Sequence, residues 1–189
     1  MLGPAGGAAG IMWTSFVGFM ASGKTSVAKA LGERALVSAV DADALVEQAA
    51  ALTVPEIFAR EGVAGFRRRE WEALRDLPAG QELVIATGGG LVETPEAVAL
   101  LRQRGLVIWL DAAWEVLQRR LAGEAQQPRP LVSHLGWDGL AALYLRRRRL
   151  YGHAAHFRLR SDAGTPVSLA RDAQVRGVVW RRRSGYGSQ

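Results

Sequence analysis

The stretch Gly18-Phe19-Met20-Ala21-Ser22-Gly23-Lys24-Thr25 decides how the rest of this chain reads. It fits G-x-x-x-x-G-K-[ST], a loop whose glycines let backbone N–H groups close on phosphate. The pattern carries meaning only between a strand and a helix, and both flanks comply. Trp13 to Val17 is a short apolar run and reads as a buried strand. Thr25 to Ala35 reads as a helix, with Val27, Ala28, Leu31 and Ala35 on one side. The helix N-terminus adds partial positive charge. Lys24 is placed to reach the β- and γ-phosphates and the Thr25 hydroxyl to hold Mg²⁺. Ala21, Ser22, Gly23 and Ser26 complete the expected nucleotide cradle. ATP or GTP binding is the first functional expectation.

Outward from the loop, strand-like and helical runs alternate. The strand-like runs are Ala35 to Val40, Leu83 to Ala86, Leu106 to Leu110 and Ala155 to Leu159. Between them Ala42 to Ala51, Val54 to Arg60, Phe66 to Leu77, Pro95 to Arg104, Ala113 to Leu121 and Gly139 to Tyr151 read as helices, and Pro166 to Arg176 closes the series. Gly123 to Gly136, with Pro128 and Pro130, reads as a loop. Alternation of this kind gives an α/β fold with a parallel sheet covered on both faces. In such sheets ligands sit at the carboxyl ends of strands.

The chain has 189 residues and fits one domain at about 150 residues each. Residues 1–12 read as a disordered leader, 13–177 as the domain with a lid near 122–137, and 178–189 as a basic flexible tail. Cysteine is absent, which excludes disulfides, thiolate metal sites and a cysteine nucleophile. No apolar run is long enough to span a bilayer. The first residues make a poor signal peptide, and together with the absence of cysteine this suggests a cytoplasmic setting. The net charge of +6 points to anionic partners.

Three further segments fall at strand ends. Asp41-Ala42-Asp43 offers two carboxylates, one for a metal and one for an acceptor hydroxyl, unless either simply caps the next helix. Asp111 reads as a plain cap. Thr87-Gly88-Gly89-Gly90 strips side chains from the mouth of the sheet, so a ligand can rest on bare backbone. Gln126 to Leu131 holds Arg129 between two prolines, which suits a lid arginine over a transferring phosphoryl group.

Helical phase then separates the arginines. At about 100° per residue, Leu140, Leu143, Tyr144 and Tyr151 form one stripe with Arg147 in its middle, and Arg149 points away. Phe66, Leu74 and Leu77 share a face with Arg67 and Glu70, while Arg68 faces out. Arg67 and Glu70 either pair together or leave Arg67 to a ligand. Two inward arginines on separate helices favour one shared anion. His153 and His156 lack a third ligand and read as structural.

In this order the motifs resemble shikimate kinase. The resemblance rests on Val17 to Thr25, Asp41-Ala42-Asp43, Ile57-Phe58 before Phe66 to Glu70, Thr87 to Gly90, Arg129-Pro130-Leu131, and Arg147 ahead of Tyr151. It spans about Trp13 to Arg176. It implies a monomeric P-loop kinase with five parallel strands in the order 2-3-1-4-5, using ATP and Mg²⁺ to phosphorylate shikimate. It implies that Asp43 meets the acceptor hydroxyl and that Arg67 and Arg147 bind the substrate carboxylate. Gly88, Gly89 and Gly90 would lie beside the ring. Thr25 and Asp41 would serve the metal. Lys24 and Arg129 would hold phosphates, with Arg120 against adenine.

Two other readings compete. Another small-molecule P-loop kinase, such as a gluconate kinase, has less use for two inward arginines. A basic nucleic-acid-binding ATPase should interleave arginines with exposed aromatics. Phe66 and Tyr151, the aromatics beside arginines, fall on apolar faces instead, so neither nucleic acid nor membrane is an expected partner.

Overall fold

Strands built from unbroken apolar runs are stable only where both faces of a sheet are covered. β3 (Leu83–Ala86) is of this kind, and so is β4 (Gly105–Asp111) from Leu106 to Leu110; β1 (Trp13–Val17) carries Thr14 and Ser15 but is also buried nearly throughout. β2 (Ser38–Asp41) and β5 (Phe157–Arg160) carry exposed residues and form the edges. In this computed structural model, which describes residues 12–123 and 130–184, the strands pair in parallel in the order β2-β3-β1-β4-β5. Around them lie α1 (Lys24–Ala35), α2 (Ala42–Ala50), α3 (Val54–Arg75), α4 (Pro95–Arg104), α5 (Trp114–Gly123), α6 (Pro130–Ala154) and α7 (Pro166–Ser184).

Alternation along β4 splits the core into two layers. Leu106, Ile108 and Leu110 join Phe16, Val27, Leu31, Leu169 and Ala173 on the α1/α7 face. Val107 and Trp109 join Val17, Leu74, Leu101, Leu140 and Tyr151 on the other. Each fully buried large side chain contributes about 1.5–3 kcal/mol by leaving water. A third cluster of Val46, Ile57 and Phe66 holds α2 to α3.

Register decides where the chemistry falls. Ala86 lies opposite both Phe16 and Asp41, and Val17 lies opposite Trp109. The strands therefore end level, and the segments after β1, β2 and β3 open onto one rim. These are the phosphate loop, the Asp41–Asp43 pair and the glycine triplet.

The sequence expectations need adjustment at element ends. Val54–Arg60 and Phe66–Leu77 are one helix interrupted only at Gly62, whose φ of 67° breaks the turn locally. A capping box between Thr53 and Glu56 starts it, with Pro55 in its first turn. The expected loop from Gly123 to Gly136 is already helical from Pro130, with Gly136 (φ 61°) as the break. Residues 124–129, which include Arg129, lie outside the described residues, as do residues 1–11 and 185–189. Met12, assigned to the leader, is buried in the core. α7 continues past Arg176 to Ser184, so most of the expected tail is helical, and Arg181 pairs with Glu82 at 3.3 Å. His156 accepts a hydrogen bond from the Val107 amide and packs against Trp180, a structural role. Among the described residues no helix is long and apolar enough to cross a membrane.

Candidate active site

The phosphate loop is shaped by its backbone. Gly18 has φ 151°, and a Cβ there would collide with the Leu110 carbonyl oxygen. Gly23 sits at φ 91° as the cap of α1, and even Ala21 adopts a left-handed φ of 59°. The Lys24 ammonium donates to the Gly18 and Phe19 carbonyls at 2.9 Å each, lying over the loop that it would leave for a phosphate. Ser22 is buried and its hydroxyl has no partner. Ser26 follows in the first turn of α1.

Asp41 caps the next helix and also reaches the phosphate loop. One carboxylate oxygen caps α2 by accepting from the Asp43 amide (3.0 Å) and the Ala44 amide (3.4 Å). The other accepts from the Thr25 hydroxyl at 2.7 Å, tying β2 to the phosphate loop. These are hard oxygens of the kind Mg²⁺ takes from proteins alongside phosphates and water.

Asp43 points into the cleft, with one oxygen buried and unpartnered. Burial, followed by the neighbouring Asp41 charge, raises its carboxyl above the usual range. Glu70, from α3, is buried beside it. Burial pushes that carboxyl up to about 7, against the pull of Arg67, to which it is hydrogen bonded. The pairing of Arg67 with Glu70 is thus real, yet it leaves the Arg67 Nε buried without a partner.

The glycine triplet explains itself by what a side chain would hit. A Cβ on Gly88 would collide with a Glu70 oxygen and meet an Asp43 oxygen at 2.7 Å. A Cβ on Gly90 would collide with the Arg67 guanidinium and come within 2.8 Å of Arg147. Gly89 abuts the phosphate loop at Met20 and accepts a 2.5 Å hydrogen bond from the Tyr151 hydroxyl. Bare backbone here lets two carboxyl groups and two guanidinium groups approach one small space. Arg147 comes from α6 and is only 5% exposed. Its Nη2 donates to Glu93 at 2.7 Å, while its Nε is unpartnered.

The structure therefore brings Lys24, Thr25, Asp41, Asp43, Arg67, Gly88, Gly89, Gly90 and Arg147 to one rim. Arg120, expected against a base, reaches from α5 to the carbonyls of Ala21 (3.1 Å) and Ser161 (3.0 Å) and braces the loop. Asp111 is no plain cap. It ends β4 and accepts from Arg148 and Arg158. Sequence reasoning missed Glu93, which follows the glycine triplet in a 3₁₀ turn, Leu91–Glu93. Its position one turn after Gly90 was the available signal. Phe66 and Tyr151 are buried, and Phe58 stacks on Phe66 at 4.6 Å, so these aromatics are core rather than an exposed base-stacking surface.

A phosphate loop, a carboxylate pair and an acceptor pocket at the ends of a parallel sheet define a P-loop small-molecule kinase. The shikimate kinase family model matches residues 20–176. A shikimate kinase from Symbiobacterium thermophilum is 49% identical over 149 residues, covering 77% of this chain and 84% of that protein. One from Synechococcus elongatus is 45% identical over 139 residues, covering 73% of this chain and 72% of that protein. The structure of shikimate kinase from Acinetobacter baumannii in complex with shikimate superposes with a TM-score of 0.81 at 31% identity, covering 91% of this chain and 94% of that one. The chain belongs to the shikimate kinase family and is an ATP-dependent kinase.

Proposed function

We propose that this cleft transfers the γ-phosphoryl group of ATP to the 3-hydroxyl of shikimate, giving shikimate 3-phosphate and ADP. The observation that carries this reading is the meeting of Arg67 and Arg147 at Gly90, within the same pocket as Asp43. A hydroxylated carboxylic acid needs both ends: cations for its carboxylate and a carboxylate for its hydroxyl. Membership of the family supports the same substrate and does not favour gluconate.

In this reading Arg67 and Arg147 fix the substrate carboxylate, and the backbone of Gly88 to Gly90 lies beside the ring. Asp43 orients the acceptor hydroxyl and takes its proton as the oxygen bonds to the γ-phosphorus. The bond to the β–γ bridging oxygen breaks, and ADP leaves. The raised proton affinity of Asp43 suits that task. Lys24, freed from the loop carbonyls, follows the phosphates, with the amides of residues 21–26 around them. Thr25 and Asp41 would hold Mg²⁺, which when bound neutralises phosphate charge. Arg129 serves as the lid arginine within a lid near residues 122–137, and Arg120 lies on the nucleotide side. Catalysis is positioning and charge neutralisation.

A coupled ADP-release assay over a panel of hydroxylated acids tests this. ADP should form only with shikimate. Turnover with gluconate and none with shikimate would overturn the reading.

A further inference from the structure

Arg147 presents a problem that its own helix does not solve. A guanidinium with 6% of its side chain exposed needs an anion even when the cleft is empty. Glu93 supplies it. One carboxylate oxygen accepts from Arg147 at 2.7 Å and the other from Arg146 at 2.5 Å. Burial pulls the Glu93 carboxyl upward, but the hydrogen bonds from Arg147 and Arg146 outweigh it and hold the group below its usual range. Glu93 is therefore ionised at neutral pH.

Its position matters as much as its charge. The turn Leu91–Glu93 begins directly after Gly90, the point at which Arg67 and Arg147 converge. Glu93 thus grips Arg147 from the same short segment that lines the pocket. A second tie, Tyr151 to the Gly89 carbonyl, lies one helical turn further along α6. The Glu93 bond engages Nη2 and leaves Nε of Arg147 buried and unpartnered. An arginine held by one nitrogen offers its remaining edge in a fixed orientation, the geometry suited to a carboxylate. Arg146 is 66% exposed on its side chain and touches only the far oxygen of Glu93. It offsets part of the negative charge that the incoming substrate carboxylate would otherwise meet.

We propose that Glu93 is a positioning residue for the acceptor site. It holds Arg147 for the substrate carboxylate, and Arg146 moderates its charge. This rests on the reading of the cleft as a shikimate site.

Steady-state kinetics of the full chain, with shikimate and ATP varied separately, test it. Glu93→Gln keeps the shape and removes the charge. It should raise KM for shikimate about tenfold, leaving kcat and KM for ATP within about twofold. Glu93→Asp should recover part of the loss. Arg146→Ala should raise KM for shikimate by about twofold. A merely structural Glu93 would instead lower thermal stability and kcat with KM unmoved, and that result overturns the proposal. So does wild-type KM in Glu93→Gln. A wild-type protein with no shikimate-dependent turnover would instead sink the underlying substrate reading.

Discussion

The phosphate side and the acceptor side of this cleft are built in opposite ways. The phosphate side is one continuous segment, Gly18 to Ser26, whose shape comes from its own backbone angles. The acceptor side draws Asp43 from α2, Arg67 and Glu70 from α3, Gly88 to Gly90 from the rim, and Arg147 from α6. The polar groups differ too. Among the described residues, buried side-chain atoms without partners include four on the acceptor side: Asp43 Oδ1, Glu70 Oε1, Arg67 Nε and Arg147 Nε. The phosphate loop contributes Ser22 Oγ. Unpaired buried groups are costly, and these four gather on the side of the cleft proposed to take the acceptor. A local loop can be finished in advance, whereas a pocket assembled from distant segments is tuned by its occupant.

The sharpest way to break this comparison is Asp43→Asn. It removes the carboxylate proposed as the acceptor-side base and leaves the phosphate loop intact. The expected result is a fall in kcat of about 10²- to 10⁴-fold, with KM for ATP little changed. Near-normal turnover would remove Asp43 from the chemistry.

Gly90→Ala comes next in size. The Gly90 backbone (φ −104°, ψ 0°) suits any residue, so the new methyl costs little in folding. What it hits is the Arg67 guanidinium and Arg147. Those groups must shift, and KM for shikimate should rise about tenfold while the melting temperature holds. A drop in melting temperature with unchanged KM would show that the triplet serves the fold alone.

The smallest effect concerns Glu70. Its carboxyl is raised to about 7 in the fold, chiefly by burial. The folded state then keeps a proton that the unfolded chain releases above its ordinary value near 4.5. This contribution to stability is full below about 4.5 and is lost as pH rises to about 7. Denaturant midpoints over that range should fall with pH, and Glu70→Gln should flatten the slope. An identical slope in the variant would assign the dependence elsewhere.

The same contrast explains what could be read from the chain alone. The loop was legible because its chemistry is contiguous and its flanks are a strand and a helix. Arg67 and Arg147 were legible because helical phase placed each on an apolar face. The partners of those arginines were harder. Glu70 shares a helix with Arg67 and was visible as a possible pair, but Glu93 lies 54 residues before Arg147 in sequence and no local period links them. Asp111 was misread for a similar reason, since its partners arrive from α6 and β5. Helix ends shifted where a single glycine, Gly62 or Gly136, interrupts a helix that the eye ends sooner. Strand order came from the family resemblance, because pairing between strands leaves little local trace.

The central claim is that the acceptor side is an arginine clamp for a carboxylate, independent of the phosphate loop. Titration calorimetry of Arg67→Ala and Arg147→Ala, with shikimate and ATP in parallel, tests it most directly. Each substitution should weaken shikimate binding by about 2–5 kcal/mol and leave ATP affinity unchanged. Wild-type affinity for shikimate in both variants would contradict the account.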